Sequence, residues 1–347
     1  MNIIGCDFHS RTQVIAMLDT ETGEVVEKRL DHESGEAKRF YEGLKGPVLV
    51  GIESTGYARW FGEMLAGLGH ELVVGEAAKI RACETRKQKH DRRDAEHILN
   101  LLVKGDFPKI WLPPAEERDV RVWIEHRHQL VELRTRAQNG LQAIALSYGL
   151  RRRHRLWSRA GQKELGELPL REGTARRRQD LVALVRQLSG WIKQLDQRMI
   201  EEVGRREDAR RLMTHPGVGA QTALATVLVL GPVERFPDDR HLTSYLGLIP
   251  QEDSSGGRQR FGHLTKQGNR LMRFLLVEAA GIAARYDAGL RRTYRRLAFR
   301  KGAAIAKVAI ARKLAIRLYI MLRDGIDYEE FCRRGSHAGM LGGRSLA

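Results

Sequence analysis

The chain is 347 residues long, with 60 Lys and Arg against 43 Asp and Glu, a net charge of +17 and a sequence pI of about 10.1. No apolar run reaches membrane-spanning length, the N-terminus does not read as a signal peptide, and Cys6, Cys83 and Cys332 lack metal-site spacing. These features exclude a membrane protein and a disulfide-stapled secreted domain, and they predict two or three globular units in a reducing cytoplasm.

Residues 1–112 read as α/β. Strands are predicted at IIGCD, QVIAMLD, VVEKRL, VLVGIE, ELVVGE and PKIWL, and helices at Ser34–Leu44, Ala58–Leu68 and Asp91–Val103. Turn-like segments between the first three strands predict a meander. Meander, helix, strand, helix, strand, helix is the order of an RNase H-like fold. Pro113-Pro114 closes this unit, taken as residues 1–114.

Residues 115–206 carry almost no strand signal and read as a helical, coiled-coil connector. Val120–Leu146 predicts one long helix. Leu181, Val185, Leu188, Ile192, Leu195 and Met199 form the heptad seam of a second, antiparallel to the first. Such a seam suits packing within the chain and pairing between copies alike. Between the two helices lies the basic segment RRRHRLWSR, followed by a stretch interrupted by Gly and Pro.

Residues 207–331 read as a second globular unit, mostly helical. It opens on HPGVGAQTA, whose Pro-Gly-Val-Gly resembles a helix-hairpin-helix turn. In such a turn Gly217 and Gly219 would let backbone N–H groups approach a phosphate, although an ordinary turn has the same composition. Basic faces follow: Lys266, Arg270 and Arg273, then Arg291, Arg292, Arg295, Arg296, Arg300 and Lys301. Residues 332–347 are Gly- and Ser-rich and are expected to form a mobile tail.

Charge is unevenly spread. The first 80 residues hold 8 Lys and Arg against 13 Asp and Glu, and the remainder holds 52 against 30. An acidic module joined to a basic, Arg-rich body fits metal chemistry on a nucleic-acid backbone. Four acids stand out. Asp7 and Glu53 each end a strand-like run, and Asp91 and Asp94 share one face of a predicted helix. Four carboxylates converging from those places cannot all stay ionised without cations among them, and all-oxygen ligands suit Mg²⁺ or Mn²⁺. A second feature is Ser254-Ser255-Gly256-Gly257. A Gly-rich loop can bring a hydroxyl to a scissile phosphate, and the same composition also suits a plain linker.

Together the motifs GCDFH, GIESTGY, KHDRRDA, HPGVGAQTA, FPDDRHLTSYLGLIP and SSGGRQRFGHLTKQGNRLMR, in that order, resemble the DEDD-type transposases of bacterial insertion sequences, the one-ten family. The resemblance covers roughly residues 3–102 and 210–330. It implies a RuvC-like N-terminal domain whose Asp7, Glu53, Asp91 and Asp94 bind Mg²⁺, and a C-terminal transposase domain with a nucleophilic serine. By its place before Gly257 and after Gly247 that serine is Ser255, with Ser254 adjacent. The resemblance further implies a structured guide (bridge) RNA that pairs with donor and target DNA. It also implies homo-oligomers from dimer to tetramer with composite sites, and DNA recombination through a 5′-phosphoserine intermediate. Nucleic-acid contacts are expected at Lys89, Arg92, Arg152, Arg153, Arg155, Gly217, Gly219, Arg258, Arg260, Lys266 and Arg270. Cys6, where an aliphatic residue is usual, and His90, in place of a usual Thr, depart from the pattern without removing a ligand. Two rival readings stand beside it: a structure-selective junction endonuclease of the resolvase type, which needs the acids but not Ser255, and a non-catalytic nucleic-acid-binding relic.

Overall fold

A computed structural model describes residues 1–83, 91–151, 156–252 and 260–334. The chain divides into two compact units, Met1–Leu112 and Pro113–Ala347.

The first unit is a five-stranded mixed sheet with helices on both faces. Its strands are β1 (Asn2–Phe8), β2 (Thr12–Asp19), β3 (Val25–Asp31), β4 (Val48–Glu53) and β5 (Glu71–Gly75), in the spatial order β3-β2-β1-β4-β5. The first three form an antiparallel meander, and β4 and β5 add in parallel to β1. The parallel additions need crossovers, supplied by α1 (Glu36–Glu42) before β4 and α2 (Arg59–Gly67) before β5. Alternation along β1 sends Ile4, Cys6 and Phe8 to one face. There they join Ile15, Val50, Ile52, Tyr41, Phe61 and Leu65 in the main core. Ile3, Gly5 and Asp7 point to the other face, where α4 (Asp91–Lys104) packs Ala95 and Leu99 on Val14 and Ala16. A short helix, α3 (Ala77–Ala82), precedes it, and Ile80 of α3 packs with Ile98 and Leu101 of α4.

PKIWL, expected as a sixth strand, makes only an isolated bridge between Lys109 and Gly75. Pro108 has no N–H to donate, and Pro113-Pro114 stops any extension of the ladder.

In the second unit α5 (Ala115–Ser147) and α7 (Glu172–Arg205) run antiparallel, with Gly140 beside Leu181 at one end and Arg206 beside Glu117 at the other. Leu188, Ile192 and Leu195 of the heptad seam bury against Leu130, so this stretch of the seam is used within the chain. Arg127 adds a salt bridge at 2.6 Å to Asp196 across the pair. The Gly/Pro-interrupted stretch holds a helix the periodicity did not predict, α6 (Arg159–Glu167), N-capped by Ser158 and packed through Leu165 on Leu141 and Leu156. Val120, Ile124, Met199 and Val203 then enter one core with the C-terminal helices, so connector and C-terminal segment share a single compact unit. Those helices are α8 (Glu207–Met213), α9 (Ala220–Leu230), α10 (Asp239–Tyr245), α11 (Arg270–Tyr286), α12 (Ala288–Lys301), α13 (Ala303–Asp324) and α14 (Tyr328–Arg334). A two-stranded hairpin, β6 (Pro250–Glu252) and β7 (Phe261–Leu264), interrupts them between α10 and α11. Helix α14 extends past Phe331, and the remainder of the expected tail lies outside the described residues.

Candidate functional site

Asp7 and Glu53 sit at the C-terminal ends of neighbouring parallel strands. The register pairs Cys6 with Ile52, so the two acids are the next residues along and share the α4 face. Helix α4 lies unusually close to that face. A Cβ on Gly5 would come within 2.2 Å of the Ala95 carbonyl oxygen and 2.3 Å of the Leu99 nitrogen, and one on Gly51 would come within 2.7 Å of Leu102. Gly5 and Gly51 are register partners. Two adjacent glycines thus make the flat patch on which the first turns of α4 rest. Asp91 opens that helix and Asp94 stands just before Ala95. The side chain of Asp91 lies outside the described residues.

Each visible acid has a basic neighbour. Asp7 Oδ2 lies 3.1 Å from His9 Nε2. Glu53 Oε1 accepts from Arg81 Nη2 at 2.7 Å. The Arg81 guanidinium is held above its ordinary pKa, first by the hydrogen bond and charge of Glu53 and further by the charge of Asp94. One cation therefore bonds to Glu53 and feels the charge of an acid from a second element. Among the described residues no three His, Cys, Asp or Glu side chains are close enough to hold a metal ion. The donor chemistry still fits a hard divalent cation, with oxygen ligands at two strand ends and a positive group already drawn to them. Sequence reasoning missed Arg81. Its only signal was a cation in a short apolar helix, AAKIRA.

On the opposite face Cys6 is wholly buried, and burial, then the charge of Asp7, pushes its thiol pKa well above the usual range. Cys6 Sγ lies 3.7 Å from Gln13 Oε1, and Gln13 Nε2 donates to Tyr41 Oη at 3.1 Å. The residue before Asp7 is thus a neutral member of a buried polar chain.

Ser254 and Ser255 fall in residues 253–259, which join β6 to β7 and lie outside the described residues. The foot of that hairpin is described. Gly247 (φ +64°) and Gly268 (φ +74°) cross so closely that a Cβ on either would meet backbone, the Gln267 oxygen at 2.1 Å and the Tyr245 oxygen at 2.0 Å. Asn269 Oδ1 then caps α11 by accepting from Met272 N at 2.9 Å. The Gly268-Asn269 pair of the KQGNR motif is therefore a structural joint. Lys266 and Arg270 flank it on the surface.

In the HPGVG turn, Gly217 has φ +88°, and its missing Cβ would lie 2.6 Å from the Ala279 carbonyl oxygen. Its glycine is required by close packing on α11. Gly219 is the N-cap residue of α9, with open space around it. Arg92 and Arg260 are exposed, whereas Lys89, Arg152, Arg153, Arg155 and Arg258 lie outside the described residues, as does His90.

Behind the turn, His215 is buried. Burial holds its pKa down at about 4, so the ring is neutral. Its ring meets Tyr328 edge-on at 4.6 Å. Tyr328 Oη donates to Asp287 Oδ2 at 2.6 Å, and Arg317 Nη1 donates to the same oxygen at 2.7 Å. Against a burial penalty, these bonds with Arg317 and Tyr328 bring Asp287 down to about 2.

Residues 4–149 match a family described as "Transposase", and residues 209–295 match the "Transposase IS116/IS110/IS902 family". The chain is 28% identical over 335 residues to the "Probable family 20 transposase" of Pseudomonas aeruginosa, covering 93% of this chain and 97% of that one. It is 27% identical over 246 residues to the "Transposase for insertion sequence element IS1111A" of Coxiella burnetii, 68% of this chain and 66% of that one. With the "Transposase for insertion sequence element IS1328" of Yersinia enterocolitica it shares 24% identity over 240 residues, 68% and 71% of the two chains. The two family matches and these relatives place the chain in the class of transposases. Within that class the chain is a member of the IS110 family of insertion-sequence transposases. No helix among the described residues is long and apolar enough to cross a membrane.

Proposed function

We propose that this transposase is a guide-RNA-directed DNA recombinase that cuts and rejoins strands through Ser255, with Asp7, Glu53, Asp91 and Asp94 as a divalent-metal site. The observation that carries the reading is the placement of Asp7 and Glu53 side by side on the face that α4 crosses, with Asp94 in its first turn. An Mg²⁺ or Mn²⁺ ion held by these oxygens would withdraw charge from a scissile phosphate and lower the cost of deprotonating an attacking hydroxyl.

The rest of the chemistry belongs to the chain. The Ser255 oxygen attacks phosphorus, the bond from phosphorus to the 3′ oxygen breaks, the serine proton is lost, and the leaving strand takes up a proton as a free 3′ hydroxyl. The 5′ phosphate stays on Ser255 as an ester. Attack on that ester by the 3′ hydroxyl of another strand reverses the bond changes, so strands are exchanged without an external energy source. Water in place of serine would discard the bond energy, which is why a family with a cutting site benefits from a nucleophilic hydroxyl.

In this reading residues 1–114 form the RuvC-like cutting domain, 115–206 the connector and 207–331 the transposase domain. A structured RNA, donor and target DNA, and a dimer-to-tetramer assembly complete the machine. The deciding experiment is a denaturing gel of a labelled suicide DNA substrate with the wild type, Ser255→Ala and Ser254→Ala. The wild type and Ser254→Ala should show a protein–DNA adduct and Ser255→Ala none. Cleavage by Ser255→Ala at the wild-type rate with free 5′ phosphates would make the protein a resolvase-type nuclease instead.

A further inference from the structure

The second unit holds a groove of about 1020 Å³ bounded by the Gly217 turn, α11, α12 and the start of α13. Four cations line it: Arg285 at the end of α11, Arg291 and Arg295 one turn apart on α12, and Lys307 on α13. One acid lies among them, Glu278, paired with Lys307 at 2.8 Å. Arg291 donates to the Arg285 carbonyl, which ties two of the cations together. Helix α12 carries six Arg and Lys and no acid in its 14 residues. Its two faces differ in company. Arg292 and Arg296 belong to a separate groove of about 640 Å³ on the neighbouring face, about 100° round the helix.

Apolar surface lies among the cations. Phe274 is 47% exposed and Ile282 48% exposed, both in the lining, and Tyr294 adds a third apolar body. A core seam would have buried them, and a purely electrostatic duplex-binding face has no use for them inside a groove. In a duplex the base faces are stacked on one another, which leaves phosphates, sugars and base edges, but no open base face, for a protein surface. An unpaired strand offers both chemistries at once, phosphates for Arg and Lys and open base faces for aromatic and aliphatic side chains.

We infer that this groove binds unpaired nucleic acid, its phosphates on Arg285, Arg291, Arg295 and Lys307 and a base on Phe274. The site is remote in chain position from the proposed metal ligands and does not depend on their chemistry. DNA and RNA strands share the recognised groups, so the test carries both.

Full-length protein is titrated with fluorescent oligo-dT, oligo-U and a hairpin duplex across a range of salt. The double variant Arg291→Gln/Arg295→Gln is compared with Arg292→Gln/Arg296→Gln, which removes equal charge from the separate groove on the neighbouring face of the same helix. Loss of two strand contacts should make the log–log salt slope shallower by about 1.4 for an unpaired oligomer. The Arg292→Gln/Arg296→Gln pair should leave it unchanged. Phe274→Ala, which trims an exposed ring, should weaken single-strand binding by roughly 5- to 150-fold and leave duplex binding alone. The oligomer with the larger loss identifies the strand. Equal losses from both double variants, or a Phe274→Ala loss as large on duplex as on single strand, would overturn the proposal. Strand cleavage by Asp7→Asn, assayed in parallel, separates the two readings, since it reports on the proposed metal site and not on the groove.

Discussion

Gly5 and Gly51 are register partners on β1 and β4, and helix α4 rests on the pair. Gly5→Ala should therefore be costly. Its methyl group would meet helix backbone, which cannot rotate away, and overpacking of that kind costs about 3 kcal/mol. Gly51→Ala should cost about 1 kcal/mol, because the atom it meets ends the flexible Leu102 side chain. Urea unfolding of the two variants tests this order, and equal losses would show that α4 is not seated on Gly5.

A second prediction concerns the cation bonded to Glu53. The Arg81–Glu53 pair is solvent-exposed, so Arg81→Gln should change stability by about 0.5 kcal/mol or less. Divalent affinity should rise, since Glu53 and Asp94 lose a competing positive charge. Calorimetric titration with Mn²⁺ checks both the direction and the ligand set. Weaker Mn²⁺ binding in Arg81→Gln would show that the arginine supports the site rather than competing for it.

The acids themselves should separate cutting from binding. Asp7→Ala, Glu53→Gln and Asp94→Asn are each expected to reduce strand cleavage by at least about a hundredfold. Affinity for nucleic acid should stay within about twofold, because the basic body is untouched. Wild-type cleavage by Asp7→Ala in a gel assay would remove that residue from the site.

The buried His215 gives a pH prediction with a definite sign. Its folded pKa of about 4 lies below the ordinary histidine value of 6.5, so the unfolded chain binds more protons between those values. Stability is fully present above pH 6.5 and falls as pH drops toward 4, by up to about 3 kcal/mol from this residue. Asp287, held near 2, adds a further loss below the ordinary aspartate range. Urea midpoints for wild type and His215→Gln at pH 7 and pH 5 measure the effect. The variant should show the flatter dependence.

Much of the first unit was legible because strand alternation and buried apolar runs leave direct marks in sequence. The ends of β1 and β4 carried Asp7 and Glu53 to one face by parity alone. The contact that seats α4 was harder to see. Glycine inside a strand signals close approach but does not name what approaches. Arg81 belonged to no motif, and helix α3 is too short for periodicity to reveal. In the second unit the seam of α7 was visible, yet a heptad cannot say whether its partner is the same chain. The packing of Leu188, Ile192 and Leu195 on Leu130 answers that for this stretch. The Gly268-Asn269 joint carries a helix-start signal, an N-cap residue before an apolar run, that its basic neighbours obscure.

The clasp formed by α14 has a bearing on how such an element decays. Tyr328 bonds Asp287, its backbone N–H donates to Thr214 Oγ1 at 2.8 Å, and Phe331 fills the core behind it. A premature stop between Arg317 and Tyr328 would spare every proposed catalytic residue and still strip a partner from Asp287 and the cover from His215. Copies that lose only their last few dozen codons should thus be dead through misfolding, and a scan of active-site codons alone would miscount them as intact.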